Sequence, residues 1–251
     1  MTAELNDAEP NDTVLSTSGI HKRFSALVVL HAIDFSLRAN EAVGIVGPNG
    51  AGKTTLLSVL AGALPPTSGS IHFHGADVTG LSAAQRCRLG IVRTHQIPRP
   101  FNGMTVFENV FVAATNGGQF KPDEANRRAI EAIAACGMLR LANRRAETLG
   151  LLDRKRLELA RALGANPSVL LLDEIGGGLT DGEAGELVET VRGLHKSGIA
   201  IVWIEHIVHV LLQVAERLIC MDAGRIIADG EPRAVMADKA VISAYLGGSV
   251  H

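Results

Sequence analysis

The chain has 251 residues, 47% of them apolar and 4% aromatic, with a net charge of −2. That bounds it to one large domain, or a core with a subdomain, whose interior is built from Leu, Val, Ile and Ala. The near-neutral balance excludes the electrostatic footprint of a nucleic-acid binder, and no run approaches the ~20 apolar residues that a membrane-spanning helix needs.

The opening MTAELNDAEPND is acidic and has no apolar h-region, so residues 1–12 are expected to be a disordered tail and not a signal peptide. Thr13–Ile20 and Ala32–Arg38 then read as strands flanking a turn, the second with Ile33, Phe35 and Leu37 on one face. AVGIV (Ala42–Val46) reads as a buried strand and Thr54–Leu64 as a helix. Between them lies GPNGAGKTT, Gly47–Thr55, which fits G-x-x-x-x-G-K-[ST]. The chemistry needs these residue types in this order. Gly47, Gly50 and Gly52 let the backbone of Pro48, Asn49 and Ala51 curl so that successive N–H groups face an anion, and the following helix aims its positive end at the same spot. Lys53 would reach the β- and γ-phosphates, and the Thr54 hydroxyl, with Thr55 beside it, would hold Mg²⁺.

Pro65–Gly69 breaks the chain before SIHFHG, a short strand whose alternation places His72 and His74 on one face. Two histidines without a third ligand do not make a metal site. Ser82–Arg88 reads as a short helix and GIVRTHQ as a strand entering an irregular loop, around which Arg88, Arg93 and Arg99 read as solvated charge. From Met104 to Gly137 the pattern is helical, with Pro122 at the start of a helix whose stripe is Ile130, Ile133 and Ala134. Another helix runs from about Asp153 to Leu163, with Asp153 as its cap. VLLLDE and IAIVWI are continuous apolar runs of the kind that parallel strands buried on both faces show. Trp203 in the second run reads as core. Leu187, Val188, Val191 and Leu194 form the stripe of the helix between them. LICMDAGRIIADG closes as two strands with a turn at Ala223–Gly224, and a helical tail follows. The three cysteines, Cys87, Cys136 and Cys220, have no paired spacing and read as buried thiols of a reducing compartment.

Asp173 and Glu174 end a buried strand, where ligands bind in parallel α/β sheets. Alone they would be two solvated acids. With the glycine loop they make a second half of a phosphoryl-transfer site: Asp173 can order Mg²⁺, and Glu174 can orient a water toward a γ-phosphate.

The order GPNGAGKTT, RTHQ, LELARAL, VLLLDE and IEH resembles that of ATP-binding cassette (ABC) transporter ATPases over nearly the whole chain. The resemblance implies a P-loop NTPase (RecA-like) α/β core with an N-terminal antiparallel β subdomain and an α-helical subdomain at about 97–165. It places the ABC ATPase domain at 13–248, ending in a helical tail at about 231–248. It implies ATP and Mg²⁺ as ligands, Gln96 as the glutamine that links γ-phosphate and metal to a transmembrane partner, and His206 as the histidine that contacts the γ-phosphate. Phe24 falls where the family places an aromatic ring against adenine. RTHQIPRPFNGMTVFENV, IEHIVHV and VISAYLGG are similar to ATP-binding subunits of branched-chain (hydrophobic) amino-acid importers. That implies separate permease subunits, a second ATPase subunit and a peripheral position on the cytoplasmic face of the inner membrane. Urea- or amide-type importers and a weakly hydrolysing regulatory subunit are the alternatives.

One motif departs from the family. Leu149–Asp153 stands where LSGGQ is usual, so Gly150 lacks the serine hydroxyl, and Leu151 and Leu152 replace glycines that permit close backbone approach to the opposite subunit's ATP. Ile175 stands where proline commonly follows the Asp-Glu pair, and Thr180 stands at a usual aspartate position. This favours a heterodimer with an ATPase subunit carrying a complete signature, with a homodimer as the alternative.

Overall fold

The structure is a computed structural model and describes residues 12–247. Of the sequence's expectations, the acidic tail (Asp12 apart) and the final position of the helical tail, residue 248, lie outside the described residues. The chain opens as a long hairpin, β1 (Thr13–Phe24) and β2 (Leu27–Arg38), paired from Thr13↔Arg38 to Phe24↔Leu27. Both strands run further than the apolar alternation indicated, because the hairpin's far end is held by backbone pairing and leaves Phe24, Leu27 and Val28 exposed.

The next strand, β3 (Ala42–Val46), lies wholly buried, and α1 (Lys53–Leu60) follows the glycine loop. This helix stops short of the expected Leu64. Gly62 adopts φ 75°, and the buried Arg86 donates 2.8 Å hydrogen bonds to the carbonyls of Val59 and Leu60, satisfying the helix's C-terminal acceptors. Strands β4 (Ser68–Phe73) and β5 (Ala76–Asp77) then complete a four-stranded antiparallel sheet in the order β2-β1-β4-β5. His74 lies beyond β4 in a turn with φ 48°, so the expected shared face of His72 and His74 does not form; strand alternation ends at Phe73. Among the described residues no group of three or more His, Cys, Asp or Glu could hold a metal ion.

Helix α2 (Ala83–Leu89) leads into β6 (Ile91–Arg93), and a helical interval follows: α3 (Val106–Asn116), α4 (Pro122–Ala135), two 3₁₀ turns, and α5 (Leu151–Gly164). Thr105 caps α3 in a reciprocal box with Glu108, and Pro122 opens α4 as the sequence indicates. The buried face of α4 is Ala125, Ala129, Ala132 and Ile133, whereas Ile130 is exposed. The Ile130–Ala134 stripe is therefore corrected by about a quarter turn. Small residues face inward here because α3, α4 and α5 pack closely. A Cβ on Gly164 of α5, for example, would meet the Val110 carbonyl of α3 at 3.0 Å.

The remaining elements are β7 (Val169–Asp173), α6 (Asp181–Lys196), β8 (Ala200–Ile204), α7 (Val208–Leu211), β9 (Arg217–Asp222), β10 (Arg225–Gly230), α8 (Pro232–Ala237) and α9 (Lys239–Gly247). They form a six-stranded sheet in the order β10-β9-β3-β8-β7-β6, with β9, β3, β8, β7 and β6 parallel and β10 antiparallel. Alternate residues of its central strands serve two cores. Val43, Ile45, Val202 and Ile204 pack with α1 and the antiparallel sheet, while Ala42, Val46, Leu172 and Trp203 pack with the helical layer. This double burial is why these strands read as unbroken apolar runs.

Candidate nucleotide site

The glycine loop crosses from the C-terminal end of β3 to the N-terminus of α1. Gly47 has φ 143°, and a Cβ there would lie 2.0 Å from the Met221 carbonyl, so no side chain fits. Gly52, with φ 97°, is the N-cap of α1, and no acidic residue occupies the first turn of that helix. The helix's positive end and its unpaired N–H groups therefore face the loop without competition. Lys53 arches back over the loop, donating to the carbonyls of Gly47 at 2.7 Å and Pro48 at 3.0 Å. Burial lowers the pKa of its ammonium, against the opposing pull of Glu174, Cys220 and Asp173. Asn49, Gly50, Ala51, Gly52, Lys53, Thr54 and Thr55 line a cavity of about 400 Å³, with Leu27 and Val29 on one side and Glu174 on the other.

Asp173 ends β7 and is 2% exposed. One carboxylate oxygen lies 3.5 Å from the Thr54 hydroxyl; the other accepts a 2.6 Å hydrogen bond from Arg93, whose second nitrogen donates to Ser58. Glu174 follows with φ 48°, a left-handed turn that swings its side chain out of the strand direction while its N–H still bonds the Ile204 carbonyl of β8. Its two oxygens are both engaged: Oε2 accepts from Gln96 Nε2 at 2.5 Å, and Oε1 lies 2.8 Å from His206 Nε2. Three residues 78 and 32 positions apart in sequence thus meet on one carboxylate at the C-terminal edge of the parallel strands. His206 precedes α7 and does not lie on it. Phe24 lies 43% exposed at the hairpin end with the Lys22 ammonium 5.0 Å from its ring centre; Leu27 and Val29 are the apolar residues that line the cavity.

Several residues of the site have no signal of their own in the sequence. Arg93 is not solvated loop charge but the counter-ion of Asp173. Lys155, 4% exposed on α5, donates to the Gln96 carbonyl at 3.1 Å and ties the glutamine loop to the helical layer. Glu205 is 3% exposed and accepts from the Gly176 N–H at 2.6 Å and from Trp203 Nε1 at 3.3 Å; burial raises its carboxyl above the usual range. The N-cap of α5 is Gly150 and not Asp153, which lies in the first turn; a cap needs the non-helical backbone that Gly150 supplies. A Cβ on Gly150 would meet nothing within 4 Å, and Leu151 is 44% exposed. Thr180 caps α6 in a box with Glu183, which gives the threonine at that position a structural purpose.

Comparison with known proteins agrees with this geometry. Residues 30–176 match the ABC transporter family model, and residues 225–251 match one described as branched-chain amino acid ATP-binding cassette transporter. The chain is 35% identical over 249 residues to the high-affinity branched-chain amino acid transport ATP-binding protein LivG of Escherichia coli, covering 93% of this chain and 98% of that one. The lipopolysaccharide export system ATP-binding protein LptB of Haemophilus influenzae is 31% identical over 235 residues, covering 94% and 98%. Among solved structures, the ADP conformation of MJ1267, an ATP-binding cassette of an ABC transporter, superposes with a TM-score of 0.85 at 30% identity over 94% of this chain and 99% of that chain. The chain belongs to the ABC transporter ATP-binding family. It is an ATPase cassette, with the P-loop α/β core and the antiparallel and helical layers of that fold.

Proposed function

We propose that this chain is the ATP-hydrolysing subunit of an importer for branched-chain or other hydrophobic amino acids. It would lie on the cytoplasmic face of the inner membrane and couple ATP turnover to transport through separate permease subunits. The observation that carries the hydrolytic part is the convergence of Gln96 and His206 on Glu174 beside the phosphate loop. The transport part draws on the branched-chain amino-acid relatives and on the family model that matches the C-terminal segment. No helix among the described residues is long and apolar enough to cross a membrane, so on this reading the pathway belongs to other chains.

In the proposed mechanism the N–H groups of residues 49–54 and the α1 terminus hold the phosphates, and Lys53 transfers its hydrogen bonds from the Gly47 and Pro48 carbonyls to the β- and γ-phosphates. The Thr54 hydroxyl, the Asp173 carboxylate and the Gln96 amide are hard oxygen donors that fit Mg²⁺, which when bound would neutralise charge on the phosphates. Glu174 orients and deprotonates the attacking water. Gln96 and His206, already seated on its two oxygens, set its rotamer and meet the γ-phosphate as it arrives. Leu27 and Val29 line the cavity, and the exposed Phe24, paired with Leu27 at the hairpin end, would extend that apolar surface for adenine.

The test has two parts. Glu174→Gln should retain ATP binding and lose about 10²- to 10⁴-fold in turnover, the span of general-base catalysis; undiminished turnover would overturn the assigned role. In proteoliposomes carrying the chain with its permease subunits and binding protein, ATP should drive uptake of radiolabelled leucine. Uptake of urea and not leucine would move the substrate to the amide class. ATP-driven export would place the chain with the LptB-like branch.

A further inference from the structure

We infer that Tyr245 is a positioning residue for the phosphate loop, so that the C-terminal helix α9 forms part of the nucleotide site. The inference rests on the reading of Gly47–Thr55 as that loop. The Tyr245 hydroxyl accepts a 2.9 Å hydrogen bond from the Gly47 N–H, across 198 residues of sequence. The carbonyl of the same residue accepts from Lys53 Nζ at 2.7 Å. Gly47 is thus clasped at both ends, by α9 at its nitrogen and by the phosphate-binding lysine at its oxygen.

The need for such a clasp follows from the backbone. Gly47 has φ 143° and its Cα sits against the Met221 carbonyl, so a side chain that would restrict the backbone is sterically excluded. A glycine hinge at the entrance to a loop has the widest rotational freedom of any residue, and its orientation must be set by outside partners. Tyr245 supplies a directional one. The helix that presents it is anchored: Val241, one turn earlier, is 1% exposed in the helical core together with Cys220, the β9 residue that pairs with Val46 beside the loop. The phenol's ordinary pKa already lies far above the physiological range, so its oxygen is a neutral acceptor there.

The consequence is a two-step relay, from α9 through the Gly47 backbone to Lys53. Displacement of α9 releases the N–H of the Val46–Gly47 peptide; rotation about the φ and ψ of Gly47 then moves the carbonyl of the next peptide, on which the lysine rests. Tyr245 touches no substrate atom in this scheme; it acts through the loop.

The experiment measures three quantities on the full chain: affinity for Mg-ATP by titration calorimetry, hydrogen exchange of the peptide spanning residues 43–52, and the melting temperature. Tyr245→Phe keeps the ring and removes the acceptor. ATP should bind about three- to ten-fold more weakly, the range that one lost hydrogen bond gives. Exchange in the loop peptide should rise while the peptides of α8 stay unchanged. Ile242→Ala, on the exposed side of the same helix, should match the wild type in all three. If Tyr245→Phe matches it too while Lys53→Ala abolishes binding, the inference is overturned and the phosphate loop stands. If Lys53→Ala leaves affinity intact, the reading of the loop itself fails. Should Tyr245→Phe lower the melting temperature, a variant of similar melting loss remote from the loop, Ala129→Leu in the helical layer, decides the matter. ATP affinity and slow loop exchange kept by Ala129→Leu and lost in Tyr245→Phe support positioning by the acceptor; equal losses in the two variants overturn it.

Discussion

A carboxylate as enclosed as Asp173, 2% exposed at the end of β7, is stable only with a partner that meets its charge, and the partner is Arg93 at 2.6 Å. Arg93 also reaches Ser58, so one planar guanidinium bridges α1 and β7 behind the side of Asp173 that faces Thr54. Removing one member of such a pair strands the other, which costs about 3 kcal/mol. For a chain of this size that corresponds to a fall of roughly 6–12 °C in melting temperature. Arg93→Ala should therefore melt lower by that amount in a calorimetric scan, and the double variant Arg93→Ala with Asp173→Asn should regain most of the loss, since no charge is then left unpaired. Strictly additive losses would show that the pair is not coupled. The sequence could not reveal this. Arg93 sits among Arg88 and Arg99 in an irregular stretch, and nothing local distinguishes a charge that turns inward from one that faces water. Glu174 stands out as the acid ending an apolar strand, and Gln96 and His206 only through the family resemblance; their meeting on one carboxylate depends on β6, β7 and β8 lying side by side, which only the sheet order supplies.

At the scale of elements, the difference between what was and was not legible has a packing cause. The central strands are buried on both faces and carry their assignment in every residue; β3 was read to its exact ends and β7 and β8 to within a residue. Helix α4 is harder, because its inward face is made of alanines, which carry weak hydropathy, while the large Ile130 faces out. A reading weighted by side-chain size therefore rotates the helix. Two substitutions separate the faces. Ile130→Glu should change stability by no more than about 0.5 kcal/mol, as exposed positions do. Ala129→Leu, at a position with 0% exposure against α3 and α5, should cost about 1–3 kcal/mol through overpacking, read as a lower denaturation midpoint in urea. The reverse ranking would mean that Ile130 is the core residue.

For the whole molecule, the open question is what completes the site, and the N-terminus of α5 provides the argument. In the family this segment closes over ATP held by the opposite subunit. Here the N-cap Gly150 makes no side-chain hydrogen bond, and the large Leu151 stands 44% exposed at the first helical position. Asp153 adds a carboxylate in the same turn, 3.9 Å from Arg156. By contrast, this chain's own loop, Asp173 and Glu174 keep the residue types that the proposed hydrolysis uses. The two halves of its chemistry are therefore unequal, which fits pairing with a different ATPase subunit: ATP on this chain would meet a competent partner segment, and ATP on the partner would meet Leu151 and Leu152. Assembled with that partner, Glu174→Gln on this chain alone should remove most of the ATPase activity, and the corresponding substitution on the partner should remove little. Leu151→Gly with Leu152→Gly should raise turnover at the partner's site, measured with this chain's Glu174→Gln in place. If activity survives Glu174→Gln on this chain undiminished, the catalytic burden lies in the partner and the asymmetry runs the other way; equal losses from either side would mean that the altered segment supports hydrolysis through its main-chain N–H groups alone.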